Sequence, residues 1–137
     1  MKELKVATSS LRLISHRENR SKGNIGEILA VRYLKKNGFS ILERNFSPKT
    51  NFQGGEIDII AEKGGMTHFI EVKMRSSADF GYGRESVTAR KQKTIRRLAE
   101  RYLVSRGIYQ TASCCFDVIE INGTYANHTI ELFENCF

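Results

Sequence analysis

Residues 56–73 read E-I-D-I-I-A-E-K-G-G-M-T-H-F-I-E-V-K. Two β-rich runs, Glu56 to Lys63 and Met66 to Lys73, flank Gly64 and Gly65, a dipeptide that accepts the positive φ of a two-residue hairpin turn. With the turn there, Asp58 stands opposite Glu71 and Glu56 opposite Lys73, all four on one face of the hairpin. Directly opposed carboxylates sit about 4.5 to 5.5 Å apart at Cβ and destabilise a sheet unless a cation lies between them. A one-residue slip would send the acids to opposite faces, but Ile57 and Ile59, with Ile70 and Val72, alternate against the charged set and support this register. The bland alternative is a Glu56–Lys73 salt bridge with Asp58 on an exposed edge.

Oxygen ligands with no His or Cys cluster beside them suit Mg²⁺ or Mn²⁺ better than zinc, and such ions keep water and substrate phosphate in their coordination sphere. Lys73 lies two residues after Glu71 and shares its face, where an ammonium can position or deprotonate a metal-bound water. That combination is the logic of a nuclease site.

Outward from the hairpin, Asn24 to Asn37 carries the apolar stripe of a first helix, stopped by Gly38. Glu27 shares the inward stripe with Val31 and Leu34, as a third acid or as a capping-box residue behind Asn24. Phe39 to Phe46 reads as a strand and Ser47 to Gly55 as a loop. After a loop from Ser76 to Val87, Thr88 caps a second helix with Ile95, Leu98, Ala99, Tyr102 and Leu103 inward, ending at Gly107. Strands near Cys115 to Ile121 and His128 to Phe133 flank an Asn122-Gly123 turn. The order is α-β-β-β-α-β-β, a sheet with helices packed on it.

The chain is one domain's length, 137 residues, with net charge +7. The charge is uneven: residues 1–22 carry +4, 23–83 carry +1, 84–106 carry +6 and 107–137 carry −4. Residues 1–22 read as a basic arm and 23–137 as the single domain. On the second helix, Lys91 and Gln92 extend the inward stripe toward the N-terminus, while Arg90, Lys93, Arg96, Arg97 and Arg101 form a basic outer side suited to a phosphate backbone. Phe80 and Tyr82 offer stacking rings or packing. Cys114, Cys115 and Cys136 lack metal-site spacing and read as reduced packing residues, and the histidines, His68 included, as non-ligands. No apolar run approaches the roughly 20 residues that cross a bilayer, and charges run through the N-terminus, so neither a membrane helix nor a secretory signal is expected. A cytoplasmic chain with a polyanionic partner is the expectation, with no membrane partner.

Several quoted motifs resemble a known pattern. G-E-I-D-I-I with Asp58, then F-I-E-V-K with Glu71 and Lys73, looks like the PD-(D/E)XK nuclease signature. G-N-I-G-E-I-L-A-V-R-Y-L, G-F-S-I-L-E-R-N, F-I-E-V-K-M-R-S-S, V-T-A-R-K-Q and F-D-V-I extend the likeness over residues 23–121 to the YraN-like family of small bacterial predicted endonucleases. The resemblance implies an α/β restriction-endonuclease-like fold, a central mixed sheet of about five strands with flanking helices. It also implies Mg (or Mn) chemistry on DNA, branched or structured DNA included, related to Holliday-junction resolvases. Asp58 and Glu71 would be metal ligands, Lys73 the catalytic lysine, Glu27 the first-helix glutamate, and Gln92 or Lys91 the auxiliary polar residue.

The full expected set is therefore Glu27, Asp58, Glu71, Lys73 and Gln92 for catalysis and Asp58, Glu71 and Val72 for the metal. Lys91, Arg90, Lys93, Arg97 and Arg75 are expected to contact nucleic acid. The sequence departs from the family's pattern in a longer loop at Ser47 to Gly55, in Met74 for a typical Thr, and in Cys115 where a basic residue is common before F-D-V. These leave substrate choice open. The competing expectation is a non-catalytic nucleic-acid-binding module on the same fold, and a third alternative is a homodimer aligning two sites for paired cuts.

Overall fold

The hairpin is where the sheet's register is set. Gly64 and Gly65 take φ of 59° and 80°, the paired positive values of a type I′ turn. Lys63 then faces Met66, and the antiparallel ladder runs back to Ile59 against Ile70. These strands belong to a computed structural model that describes residues 18–48, 54–75 and 87–137, with side chains from residue 25 onward. The elements are α1 (Glu18–Lys36), β1 (Ser40–Phe46), β2 (Ile57–Lys63), β3 (Met66–Arg75), α2 (Ala89–Ser105), β4 (Ser113–Gly123) and β5 (His128–Phe133).

The five strands lie in the order β1-β2-β3-β4-β5. All neighbours are antiparallel except β3 and β4, which run parallel and are joined through α2. This mixed sheet with helices is the α/β, restriction-endonuclease-like architecture expected. One side buries Leu29, Ala30 and Leu34 of α1 against Ile59, Ala61, Ile70, Ile119 and Ile121. The other buries Ile95, Leu98, Ala99, Tyr102 and Leu103 of α2 against Ile60, Phe69, Phe116 and Val118. Alternation along the strands divides the two cores. No helix among the described residues is long and apolar enough to cross a membrane.

Helix ends follow their local chemistry. The Thr88 hydroxyl accepts the Lys91 N–H at 3.2 Å, and Gly38 and Gly107 take φ of 86° and 70° just past the two helices. Two boundaries move. The first helix starts at Glu18, not at Asn24, because Glu, Arg and Lys propagate a helix without adding to an apolar stripe. It thereby takes in the end of the stretch expected as a basic arm, whose residues 1–17 lie outside the described residues, as do Phe80 and Tyr82. The β4–β5 connection is not at Asn122-Gly123: these still pair with Thr129 and His128, and the chain turns over Thr124–Asn127, where the Thr124 N–H donates to the Asn127 carbonyl.

Candidate active site

The acids of the candidate site cluster where β2 and β3 part. Past Ile59 and Ile70 their ladder ends, while β3 stays paired to β4 as far as Arg75. In the gap the Asp58 carboxylate accepts the Val72 N–H at 2.8 Å, so a side chain replaces a ladder carbonyl. Ile57 leaves the expected alternation here: it packs with Ile60 and Phe69 on the α2 side, while Ile59 packs with Ile70 on the α1 side. Asp58, Glu71 and Lys73 nevertheless gather at the gap, while Glu56, expected opposite Lys73, falls beside Asp58 and Glu27, because the ladder ends before those positions can pair.

Glu71 is buried next to Asp58, and its Oε1 lies 3.7 Å from both Lys73 Nζ and Lys91 Nζ. Glu27 enters from α1, whose Gly26 lies so close to Val72 and Met74 that an added Cβ would meet Met74 Cβ at 3.2 Å. Glu27 Oε2 is 3.7 Å from the Arg44 guanidinium. Carboxylate oxygens of Glu27, Glu56 and Asp58 all fall within 4.8 Å of one another. Asp58 thus joins two groups of acids.

Their ionisation is strained upward. Burial first, and the Asp58 charge second, push Glu71 up to about 7 against the pull of Lys91 and Lys73. Burial raises Asp58, with the Val72 N–H opposing it, and burial raises Glu27, with the Asn45 side chain opposing and Asp58 and Glu56 adding. Among the described residues, Glu27 Oε2 and Glu71 Oε2 are buried without a hydrogen-bond partner. Clustered oxygens short of positive charge suit a hard divalent cation.

Glu27 is no capping-box residue, since Asn24 lies inside the helix. Lys73 pairs with Glu71. Gln92 is not drawn to the acids: its Nε2 donates to the Val87 carbonyl at 3.0 Å, next to the helix start, and Lys91 takes the place at the cluster. Arg90 and Lys93 are exposed on α2, and Arg75 is half-buried where β3 ends. Arg97 donates to the Gly54 carbonyl at 3.3 Å, and Arg96 lies 4.9 Å over the Phe116 ring, so both also serve the fold. Arg44 and Asn45 also stand at the acids, where no motif pointed to them. Their signal is an Asn in mid-strand, a residue type that tolerates the φ of 52° found there.

A second polar group lies toward the hairpin end, where His68, Cys115 and Asp117 bring one ligand atom each within 4.8 Å. The packing expected for Cys115 holds, and burial together with the Asp117 charge pushes its thiol up to about 12. Its convergence with His68 and Asp117 follows from the parallel register of β3 on β4, which no local motif marks.

Residues 26–121 match the model of the uncharacterised protein family UPF0102. A UPF0102 protein of Brachyspira hyodysenteriae is 40% identical over 115 residues, covering 84% of this chain and 93% of its own. One from Clostridium botulinum is 41% identical over 124 residues, covering 89% and 98%, and one from Caldicellulosiruptor saccharolyticus 42% over 120, covering 86% and 98%. The matched span runs from Gly26, against β3, to Ile121, and takes in every acid and lysine of the cluster. The chain belongs to the UPF0102 family, the YraN-like family its motifs resemble.

Proposed function

We propose that this protein is a metal-dependent phosphodiesterase acting on nucleic acid, DNA in the first place, including branched or structured DNA. One observation carries it: half-buried Asp58 and buried Glu71 share a site where both carboxyls are pushed upward, with the Lys73 ammonium on its rim, where the sheet opens. The orphaned Glu71 Oε2 and the hard oxygen set fit Mg²⁺ or Mn²⁺. Asp58 and Glu71 would hold the ion, with the Val72 main chain beside them. When bound, such an ion supplies Lewis-acid polarisation of a phosphate oxygen and a more acidic water.

The chain's own residues supply the rest. Lys73 is close enough to the carboxylates to orient a water and to offset charge growing on phosphate. Lys91 holds Glu71 from the other side and carries positive charge from α2 into the site. Glu27 and Glu56 extend the acid rim on the α1 side. Arg90 and Lys93, with Arg97 and Arg75 nearer the sheet, would lead a phosphate backbone toward that rim.

The test is a panel of labelled duplex, single-stranded and four-way-junction DNA, and matching RNA, with Mg²⁺ or Mn²⁺. Cleavage of at least one substrate is expected, reduced by about 10² to 10⁴-fold in Lys73→Ala and in Asp58→Asn with binding retained. Intact substrates throughout, with salt-sensitive binding, would replace the proposal with the binding-module alternative.

A further inference from the structure

His68 and Cys115 are side-by-side partners on the parallel strands β3 and β4, and Asp117 follows two residues along β4, so all three point to the α1 side of the sheet. They are 6%, 4% and 0% exposed. His68 Nδ1 lies 2.5 Å from Asp117 Oδ2 and 3.0 Å from Cys115 Sγ. Asp117 Oδ1 is held by the Asn135 N–H at 2.9 Å, which fixes the carboxylate and leaves Oδ2 facing the imidazole and thiol. The Phe39 ring meets the imidazole edge-on at 4.9 Å between centroids and fixes its plane.

We propose that His68 Nδ1, Cys115 Sγ and Asp117 Oδ2 form a binding site for a borderline divalent ion of the Zn²⁺ class, distinct from the Asp58–Glu71 cluster. An imidazole, a thiol and a carboxylate offer the nitrogen, sulfur and oxygen donors that such ions take, and here they converge on one point. A backbone N–H on the far carboxylate oxygen is the outer support that orients a metal ligand. Zinc-to-ligand distances of about 2.0 to 2.3 Å in a tetrahedron space the donors about 3.3 to 3.6 Å apart, so Asp117 Oδ2 and Cys115 Sγ must each draw back from His68 Nδ1 by less than about 1 Å. The ion takes the place of the thiol proton, which passes to solvent, while the imidazole binds as the neutral ring with its proton on Nε2. Three protein donors leave the fourth position to water or a small anion. The ion would staple β3 to β4 at the end of the sheet away from the acids.

The test uses the full chain, stripped with a chelator and then both titrated and refolded with Co²⁺. One equivalent should give a thiolate-to-cobalt absorption band that equimolar Zn²⁺ removes. The band should vanish in Cys115→Ser and persist in Asp58→Asn. Zn²⁺ should also raise the melting temperature of the unmodified chain by roughly 5 to 10 °C and leave that of His68→Gln unmoved. A folded chain that gives no band under either loading, or a band that survives Cys115→Ser, would overturn the proposal.

Discussion

The two ends of β3 hold polar groups of opposite character. Toward the hairpin, the β2–β3 ladder is intact and the buried carboxylate of Asp117 has a partner for each oxygen, the Asn135 N–H and His68. Toward Lys73, the ladder has opened and two buried carboxylate oxygens, on Glu27 and Glu71, have no hydrogen-bond partner among the described residues. Burial is alike at the two ends: Glu27 is 7% exposed, Glu71 6% and Asp117 0%. Burial alone therefore does not mark a functional acid. What separates the ends is whether the fold supplies the acid with donors. Where it does, the acid is satisfied within the sheet and a bound ion would only add to that, and where it does not, the charge of the acid is left for a cation to meet.

The largest expected effect follows from that contrast and has opposite signs at the two ends. Asp117→Ala strands the Asn135 N–H and the His68 ring in the core, and should destabilise the protein by about 3 to 5 kcal/mol in chemical denaturation. Glu71→Gln removes a carboxylate that burial and Asp58 oppose, and without metal at pH 8 should stabilise it by about 1 to 2 kcal/mol while removing cleavage. Destabilisation of similar size in both variants would mean that the open end is ordinary structure.

The two ends also differ in how far the sequence disclosed them. The register of a two-residue hairpin is local, so Gly64 and Gly65 sufficed to bring Asp58 to Glu71 across the gap. Lys73 followed from the alternation along one strand. The His68–Cys115–Asp117 group needs the parallel register of β3 on β4, whose strands are separated by the whole of α2, and no local rule fixes that offset. For the same reason Lys91 and Gln92, neighbours on one helix, were not separable: only the packing of α2 on the sheet sends Lys91 to Glu71 and Gln92 back to Val87. Asn45 was hidden by an irregularity, the register shift between Ile41 and Glu43 that re-aims the end of β1.

The open end should also set the pH dependence of stability. Glu71 is raised from 4.5 to about 7, with Asp58 and Glu27 raised beside it, so the folded state binds protons more tightly than the unfolded chain. The resulting stability is fully present below pH 4.5 and lost as pH rises through about 7, a decline of a few kcal/mol across that window. Saturating Mg²⁺ or Mn²⁺ should shrink the decline, because the ion favours the ionised acids. Unfolding midpoints at stepped pH, with and without the ion, give both slopes. In Glu71→Gln the decline should be smaller and the ion's influence reduced. A metal-free stability flat from pH 4.5 to 8 would show that the acids at the open end are not in conflict.

The smallest effect asks whether backbone strain, as well as charge, holds that end open. Asn45 lies between Arg44, paired with Ile59, and Phe46, paired with Ile57, which sets it across from Asp58. Its φ of 52° is left-handed, and its side chain hydrogen-bonds Glu27. Asn45→Gly keeps the backbone at ease and deletes only the bond to Glu27, whereas Asn45→Ala deletes the bond and forces a Cβ into the left-handed region. Ala should therefore be less stable than Gly by about 1 kcal/mol, the reverse of their order in a regular strand. Both variants should lift Glu27 further from its ordinary range, since the one contact that lowers it most is gone. If Ala proves as stable as Gly, the turn of the chain at Asn45 carries no strain, and the parting of β2 from β3 rests on the Asp58 carboxylate and the Val72 N–H alone.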